Sequence, residues 1–434
     1  PRSLSSDPEM SREPLRRVRR ILSALCGLLA FSLSTGLAAD AGRLAEVKPE
    51  LVGMDSAGLA RVDQLIEAAI RDGATPGAAL AIGRHGKLVR LRGYGRIDWA
   101  PDAPEVTDST LFDLSSLTKV VGTTTAAMRL SEAGLISLDA YISRYLPYWP
   151  KHGRAGQIRV RHLLTHTSGL PAGYDLWTGK STRSERVRKI ARLPVRWRPG
   201  TRTLYSDLGM ILLGDIVERI MGQRLDVYLE RRVFGPLGMR DTGFNPTRRG
   251  KPGFPVDLYR IAPSELDLFG RGRHIHGEVH DPNAYALGGV AGHAGLFSSA
   301  RDLAIFAQEI LDGVKGGQSR IASSQTIRRF TTRNGSGRPL GWDFPEGPQS
   351  SAGRYLSVHA FGHTGFTGTS IWIDPELDLF VVLLTNRVNP TAANTKHHEL
   401  RRAVHDAAAL AITDMPIAVR PDAREGGGTT RGRT

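Results

Sequence analysis

Cysteine is nearly missing: Cys26 is the single one in 434 residues. One thiol closes no internal disulfide, builds no zinc ribbon or iron–sulfur site, and leaves no thiol pair for redox work. Long apolar runs are as scarce. Only Ile21 to Ala38 qualifies, and a mean hydropathy of -0.23 excludes a multi-pass membrane protein. Lysine supplies just nine of the 58 basic residues. No G-x-S-x-G occurs, which disfavours an ordinary α/β-hydrolase. Gly179-Lys180-Ser181 resembles the end of a phosphate loop, but Tyr174 stands where its first glycine would be and no apolar strand leads in. There is no internal repeat. What is present is ample core material, with 40% hydrophobic against 23% charged residues, which excludes disorder of the whole chain.

The apolar run reads as a secretory signal. Arg12, Arg16, Arg17, Arg19 and Arg20 precede it and small residues end it, with Ala38 or Ala39 at the cut. Leu25 is too bulky to precede a lipidated Cys26. Met10 lies just ahead of the basic residues, so residues 1–39 are expected to be upstream residues plus signal peptide. The remainder is then exported, periplasmic or secreted, and meets a membrane only through an uncleaved signal. The formal charge is +15; an exported location sets nucleic acid aside as a partner despite it. The arginine cluster from Arg183 to Arg198 reads as a surface helix with a basic solvent face.

Helical spacing begins after a Ser56 cap, at Leu59, Val62, Leu65, Ile66, Ala69 and Ile70. Two strands joined at His85-Gly86 follow between Gly77 and Gly95. The stretch 117–330 is mostly helical in pattern. Strand character returns at Thr369–Ile373 and Leu379–Thr385, and a last amphipathic helix runs from about Lys396 to Ile412. Strands at both ends with helices between imply one α/β (α+β) domain over about 48–412. Its antiparallel sheet is built from about 48–116 and 331–412, flanked by the terminal helices and interrupted by a large helical insertion. Residues 415–434 are expected to be disordered.

Ser116-Leu117-Thr118-Lys119 opens a helical pattern that stops at Gly134, so Ser116 falls at a helix N-terminus with Lys119 one turn on, on the same face. A hydroxyl needs a neighbouring base to become a nucleophile; a desolvated lysine can serve, or can lower a nearby phenol. The helix end adds partial positive charge where an oxyanion would form. Alone, S-x-x-K is weak. Tyr205-Ser206-Asp207 and His363-Thr364-Gly365 follow it in the chain, together with IRVRHLLTHTSGLP, RVFGPLGMRDTGF, VHDPNAYALGGVAGHAGLFSSARDLA and FGHTGFTGTSIWIDPELDLFVVLLTN.

With this set the sequence resembles the serine β-lactamase and penicillin-binding-protein superfamily, in its class C-like branch of β-lactamases, D-alanyl-D-alanine carboxypeptidases and esterases, over about residues 50–412. The resemblance implies Ser116 as the acylated nucleophile, Lys119 as the ammonium or amine that activates it, and Tyr205 as the phenol that shares its proton. It implies an oxyanion hole from the backbone N–H groups of Ser116 and Phe366. His363 and Thr364, followed by Gly365, take the positions that meet a substrate carboxylate. No cofactor and no metal are expected. The partner implied is a small-molecule or peptide substrate, with peptidoglycan one candidate source.

Two departures bear on the substrate. His363 replaces a lysine common in β-lactamases, and a partly charged imidazole should bind a carboxylate more weakly and with pH dependence. Asp207 stands where penicillin-recognising members usually have asparagine; a carboxylate cannot donate to a substrate carbonyl but can keep Lys119 cationic. The expected activity is therefore a penicillin-binding-protein-like D-amino-acid peptidase or carboxypeptidase on cell-wall peptides. An esterase or weak β-lactamase on the same scaffold, and a catalytically silent peptidoglycan- or β-lactam-binding module, are the alternatives. His274, His276 and His280 read as a solvated loop rather than a metal site. The loop holding His293 either borders the pocket or only packs.

Overall fold

A computed structural model describes residues 44–248, 255–333 and 337–424; the expected leader and residues 425–434 lie outside them. The longer helices are α1 (Ser56–Arg71), α2 (Thr125–Glu132), α3 (Asp207–Met221), α4 (Ala300–Lys315) and α5 (His397–Leu410). The strands of the main sheet are β1 (Gly77–Arg84), β2 (Lys87–Gly95), β3 (Phe361–Thr364), β4 (Ser370–Asp374) and β5 (Leu379–Thr385). The sheet is antiparallel in the order β2-β1-β5-β4-β3, so β1 pairs directly with a strand from the far end of the chain.

Strand alternation explains how this sheet is covered on both faces. Ala78, Leu80 and Ile82 of β1, with Leu379, Val381 and Leu383 of β5, share one apolar cluster with Leu59, Val62 and Ile66 of α1 and Leu400, Val404 and Ala408 of α5. The intervening Ala79, Ala81, Phe380, Val382 and Leu384 belong to a second cluster with Phe306 and Ile310 of α4. Burying one such aliphatic side chain contributes about 1.5–3 kcal/mol. A charge at Val382 would remove that and leave an unpaired ion between sheet and helix.

Local chemistry sets the ends of these elements. His85 and Gly86 both have positive φ, 51° and 75°, the left-handed pair a two-residue hairpin turn requires. Helix α1 is capped by Asp55, whose carboxylate accepts from the N–H groups of Ala57 and Gly58, and not by Ser56. The Ser56 hydroxyl turns back to Glu50 instead. The stretch after Met415 also differs from the expected disorder. Arg420 is buried and donates to the carbonyls of Gly347, Gly353 and Leu356, which anchors the chain as far as a buried Ala423. The 183–198 cluster is only partly a solvent face: Arg183 pairs with Glu218 at 2.7 Å, and a buried Arg186 donates to the carbonyls of Leu176, Thr178 and Gly179.

Candidate active site

The turn before Ser116 is built by its neighbours. Asp113 accepts the Ser115 N–H at 2.8 Å through one oxygen and the His280 N–H at 2.7 Å through the other, while the Leu114 N–H donates to Leu296. Ser115 sits at φ 47°, a left-handed conformation costly for a non-glycine residue and frequent where a side chain must be aimed. The helix after Ser116 opens as a wide π-helical segment, Lys119–Thr124, before tightening into α2. Within it Lys119 points inward and is fully buried.

The Lys119 ammonium has three oxygens around it. It donates to Ser116 Oγ at 2.8 Å and to the His293 carbonyl at 3.0 Å, and it pairs with Asp207 Oδ1 at 2.8 Å. Tyr205 completes the shell, with its ring centre 5.0 Å from Nζ and its phenol among the groups that hydrogen-bond the ammonium. Burial alone would pull the lysine down, but the Asp207 charge and the Tyr205 phenol outweigh it and hold Lys119 above its ordinary value. Of the two states expected for this side chain, the structure favours the ammonium. Asp207 reaches it from the first turn of α3, directly after the Ser206 cap, whose hydroxyl accepts from the Gly209 N–H.

The third motif lies against the first. Thr367 Oγ1 donates to the Asp113 carbonyl at 2.6 Å, Thr369 Oγ1 to the Leu114 carbonyl at 3.0 Å, and the Phe366 N–H to Ser115 Oγ at 3.2 Å. Gly365 is required by this closeness, since a Cβ there would come 2.5 Å from the Leu114 carbonyl oxygen. The N–H expected in the oxyanion hole is thus one residue from the nucleophile and engages the hydroxyl of Ser115. The Phe366 ring is 53% exposed and lies between His280, 5.6 Å away centre to centre, and the Arg387 guanidinium at 4.6 Å. Thr364 is half-buried at the end of β3, paired with Ser370.

His363 departs from expectation. It is buried, its Nδ1 donates to the Thr364 carbonyl at 2.8 Å, and burial together with the Lys119 and Arg338 cations drives it down to about 3. Near neutral pH this imidazole is uncharged, not partly charged. The histidines of RHIHGEVHD are half-buried and each has a partner in the loop or beside it: His274 engages the Ser264 carbonyl, His276 those of Leu258 and Ile261, and His280 the Glu265 carboxylate. The His293 loop does border the site, through a carbonyl rather than its ring, which is buried against Asp281 at 2.8 Å.

His166, in the HTSG segment, stands behind Tyr205. At φ 56° its carbonyl accepts the Leu204 N–H at 2.8 Å, its Nδ1 accepts the Ser206 N–H at 3.1 Å, and its ring lies 4.5 Å from that of Tyr205. It therefore grips the Tyr205 segment on both sides. His280, which stacks on Phe366, also lines a cleft of about 510 Å³ that includes Trp177, Glu265, Arg271 and Tyr285. A cleft of about 630 Å³ between the end of α4 and Pro375 shares no residue with the site.

A buried lysine joined to a serine on one side and to a carboxylate and a phenol on the other, all beside a sheet edge, defines a serine hydrolase of the S-x-x-K kind. Comparison with known proteins agrees. The model of the beta-lactamase family matches residues 62–406, and the chain belongs to that family. It is 34% identical over 412 residues to an N-acetylmuramyl-L-alanine amidase of Bacillus subtilis (strain 168), covering 85% of this chain and 90% of the relative. To a protein of Escherichia coli O157:H7 provisionally named D-alanyl-D-alanine carboxypeptidase it is 33% identical over 402 residues, covering 85% and 91%. Among solved structures, EstCE1, a hydrolase with promiscuous acyltransferase activity, superposes with a TM-score of 0.65 at 25% identity, over 81% of this chain and 98% of that one. The octameric penicillin-binding protein homologue from Pyrococcus abyssi shares the fold at a TM-score of 0.63 and 24% identity, over 81% and 77%.

Proposed function

We propose that this protein is an exported hydrolase that cleaves amide bonds of cell-wall peptides through an acyl-enzyme on Ser116. The observation that carries the reading is the buried ammonium of Lys119 within 2.8 Å of Ser116 Oγ. As a cation it does not take the serine proton; it donates to Oγ and stabilises negative charge growing there. Tyr205 is the group left to move the proton. Ser116 Oγ bonds to the substrate carbonyl carbon, the serine proton passes to the phenol oxygen, and the phenol hands its own proton to the leaving nitrogen as the carbon–nitrogen bond breaks. The carbonyl oxygen draws on the N–H groups of Ser116 and Phe366. Water then repeats the sequence in reverse roles and frees Ser116.

Carboxypeptidase action on D-alanyl-D-alanine ends is the first reading, in line with the name given to the E. coli relative. The uncharged His363 favours a second. A triplet without a cation gives a terminal carboxylate little to bind, whereas an internal amide, such as the one named for the B. subtilis relative, needs none. Incubation with a pentapeptide ending in D-Ala-D-Ala and with an N-acetylmuramyl-L-alanyl peptide, read by mass of the products, separates the two. Release of D-alanine supports the first and release of a free L-alanyl peptide the second. Cleavage of neither, with turnover of simple esters only, would leave an esterase.

A further inference from the structure

Behind the turn that carries the Phe366 N–H lie two arginines to which sequence patterning assigned nothing. Arg401, on α5, is buried, and its Nη2 donates to the Gly365 carbonyl at 3.2 Å and to the Thr369 carbonyl at 2.9 Å. Arg387, just past β5, donates from Nε to the Phe366 carbonyl at 2.9 Å and from Nη1 to the carbonyls of Ala392 and Asn394. Neither forms an ion pair with any described carboxylate. Arg387 feels Glu265 at longer range, while the charge acting on Arg401 is that of Arg387 itself. His397, in the same neighbourhood, is kept neutral by burial and by both guanidinium groups.

Burying a cation without a counter-ion is expensive, and a neutral amide side chain would hold the same carbonyls at lower cost. The geometry offers a use for the charge. The Gly365 carbonyl and the Phe366 N–H are the two ends of one planar amide. A cation bound at the oxygen draws electron density along that unit and makes its N–H end more positive, where a substrate oxygen gains negative charge. We propose that Arg401, backed by Arg387, is a positioning residue that both fixes and electrostatically charges the oxyanion-binding amide of Gly365–Phe366, its missing counter-ion being the transient oxyanion itself. This rests on the acyl-enzyme reading above.

The test uses a fluorophosphonate probe, which needs no knowledge of the natural substrate. Ser116 Oγ bonds to phosphorus, fluoride leaves, and the serine proton passes through Tyr205 to solvent, while the phosphoryl oxygen takes the oxyanion position. Arg401→Lys keeps the charge, and Arg401→Gln keeps an N–H donor without it. The expected result is labelling of Ser116 in all three proteins, at near-parent rate in the lysine variant and slowed by about 10-fold or more in the glutamine variant, with melting temperatures of all three similar. Equal rates in parent and Arg401→Gln overturn the proposal. So does parallel loss of rate and melting temperature in both variants, which would make Arg401 a structural clamp. If the parent protein itself is not labelled at Ser116, the acyl-enzyme reading fails first and the proposal with it.

Discussion

Replacing Asp207 by asparagine tests the electrostatics of the site at their centre. The carboxylate lies 2.8 Å from a fully buried Lys119 and is itself about one-third exposed, at 33%. At that distance an effective dielectric of about 20 gives an attraction of about 6 kcal/mol, much of which burial of the lysine cancels. Asparagine keeps an acceptor oxygen, and the lysine can shed its proton, so the net loss should be about 2 kcal/mol, a fall in melting temperature of about 2–3 °C for a domain of this length. The pH dependence has a definite sign. Lys119 in the folded parent is held above its ordinary value of 10.5, so the pair stabilises the fold fully below about that pH and loses its effect as pH rises through the raised value. In Asp207→Asn the largest influence opposing burial, the carboxylate charge, is gone, so the ammonium deprotonates at lower pH than in the parent. Melting curves and acylation rates for parent and variant between pH 6 and pH 10 check this. The variant should be less stable, should gain a new rising limb in its rate profile on the alkaline side, and should be acylated faster by penicillins through its amide donor. Superimposable melting and rate profiles would refute the assignment of Lys119 as a carboxylate-stabilised cation.

Tyr205→Phe should lower the acylation rate by about 10²–10⁴ with melting temperature nearly unchanged, as measured by stopped-flow ester hydrolysis; full activity would remove the phenol from the proton path. His363 titrates near 6.5 when unfolded but at about 3 when folded, so the unfolded chain binds the extra proton and stability falls as pH drops from about 6.5 toward 3. His363→Asn should therefore show a shallower acid-side loss, by at most about 1.4 kcal/mol per pH unit in urea titrations, and an unaltered slope would mean the imidazole is not buried neutral. Phe366→Ser should widen the range of esters accepted, since the ring stands 53% exposed beside the oxyanion-binding amide. An identical ester profile would show that the ring does not limit access.

Much of the fold was legible because it obeys short periods. The β1–β2 hairpin, the last two strands and both terminal helices each announce themselves within a dozen residues, through alternation, helical spacing or a His-Gly turn. The cap of α1 was missed by one position because serine and aspartate are equally good caps and only the Ser56–Glu50 contact separates them. For the site, the resemblance to a known family, carried by three motifs, picked out Ser116, Lys119, Tyr205 and Asp207, and the fold gathers Ser116, Tyr205 and Asp207 around the Lys119 ammonium. The charge state of His363 was beyond reach, because it depends on burial and on cations far away in sequence. His166 and Arg401 were hidden for related reasons. One acts through backbone contacts at left-handed φ, and the other looks in sequence like an ordinary charged residue of an amphipathic helix.

The most direct test of the account is peptide mapping of the covalent adduct formed with a β-lactam or an activated phenyl ester, followed by intact-protein mass. The account predicts a single added acyl group, located on Ser116 and absent from Ser116→Ala. An adduct on any other side chain, Ser115 included, or hydrolysis that persists undiminished in Ser116→Ala, would contradict it.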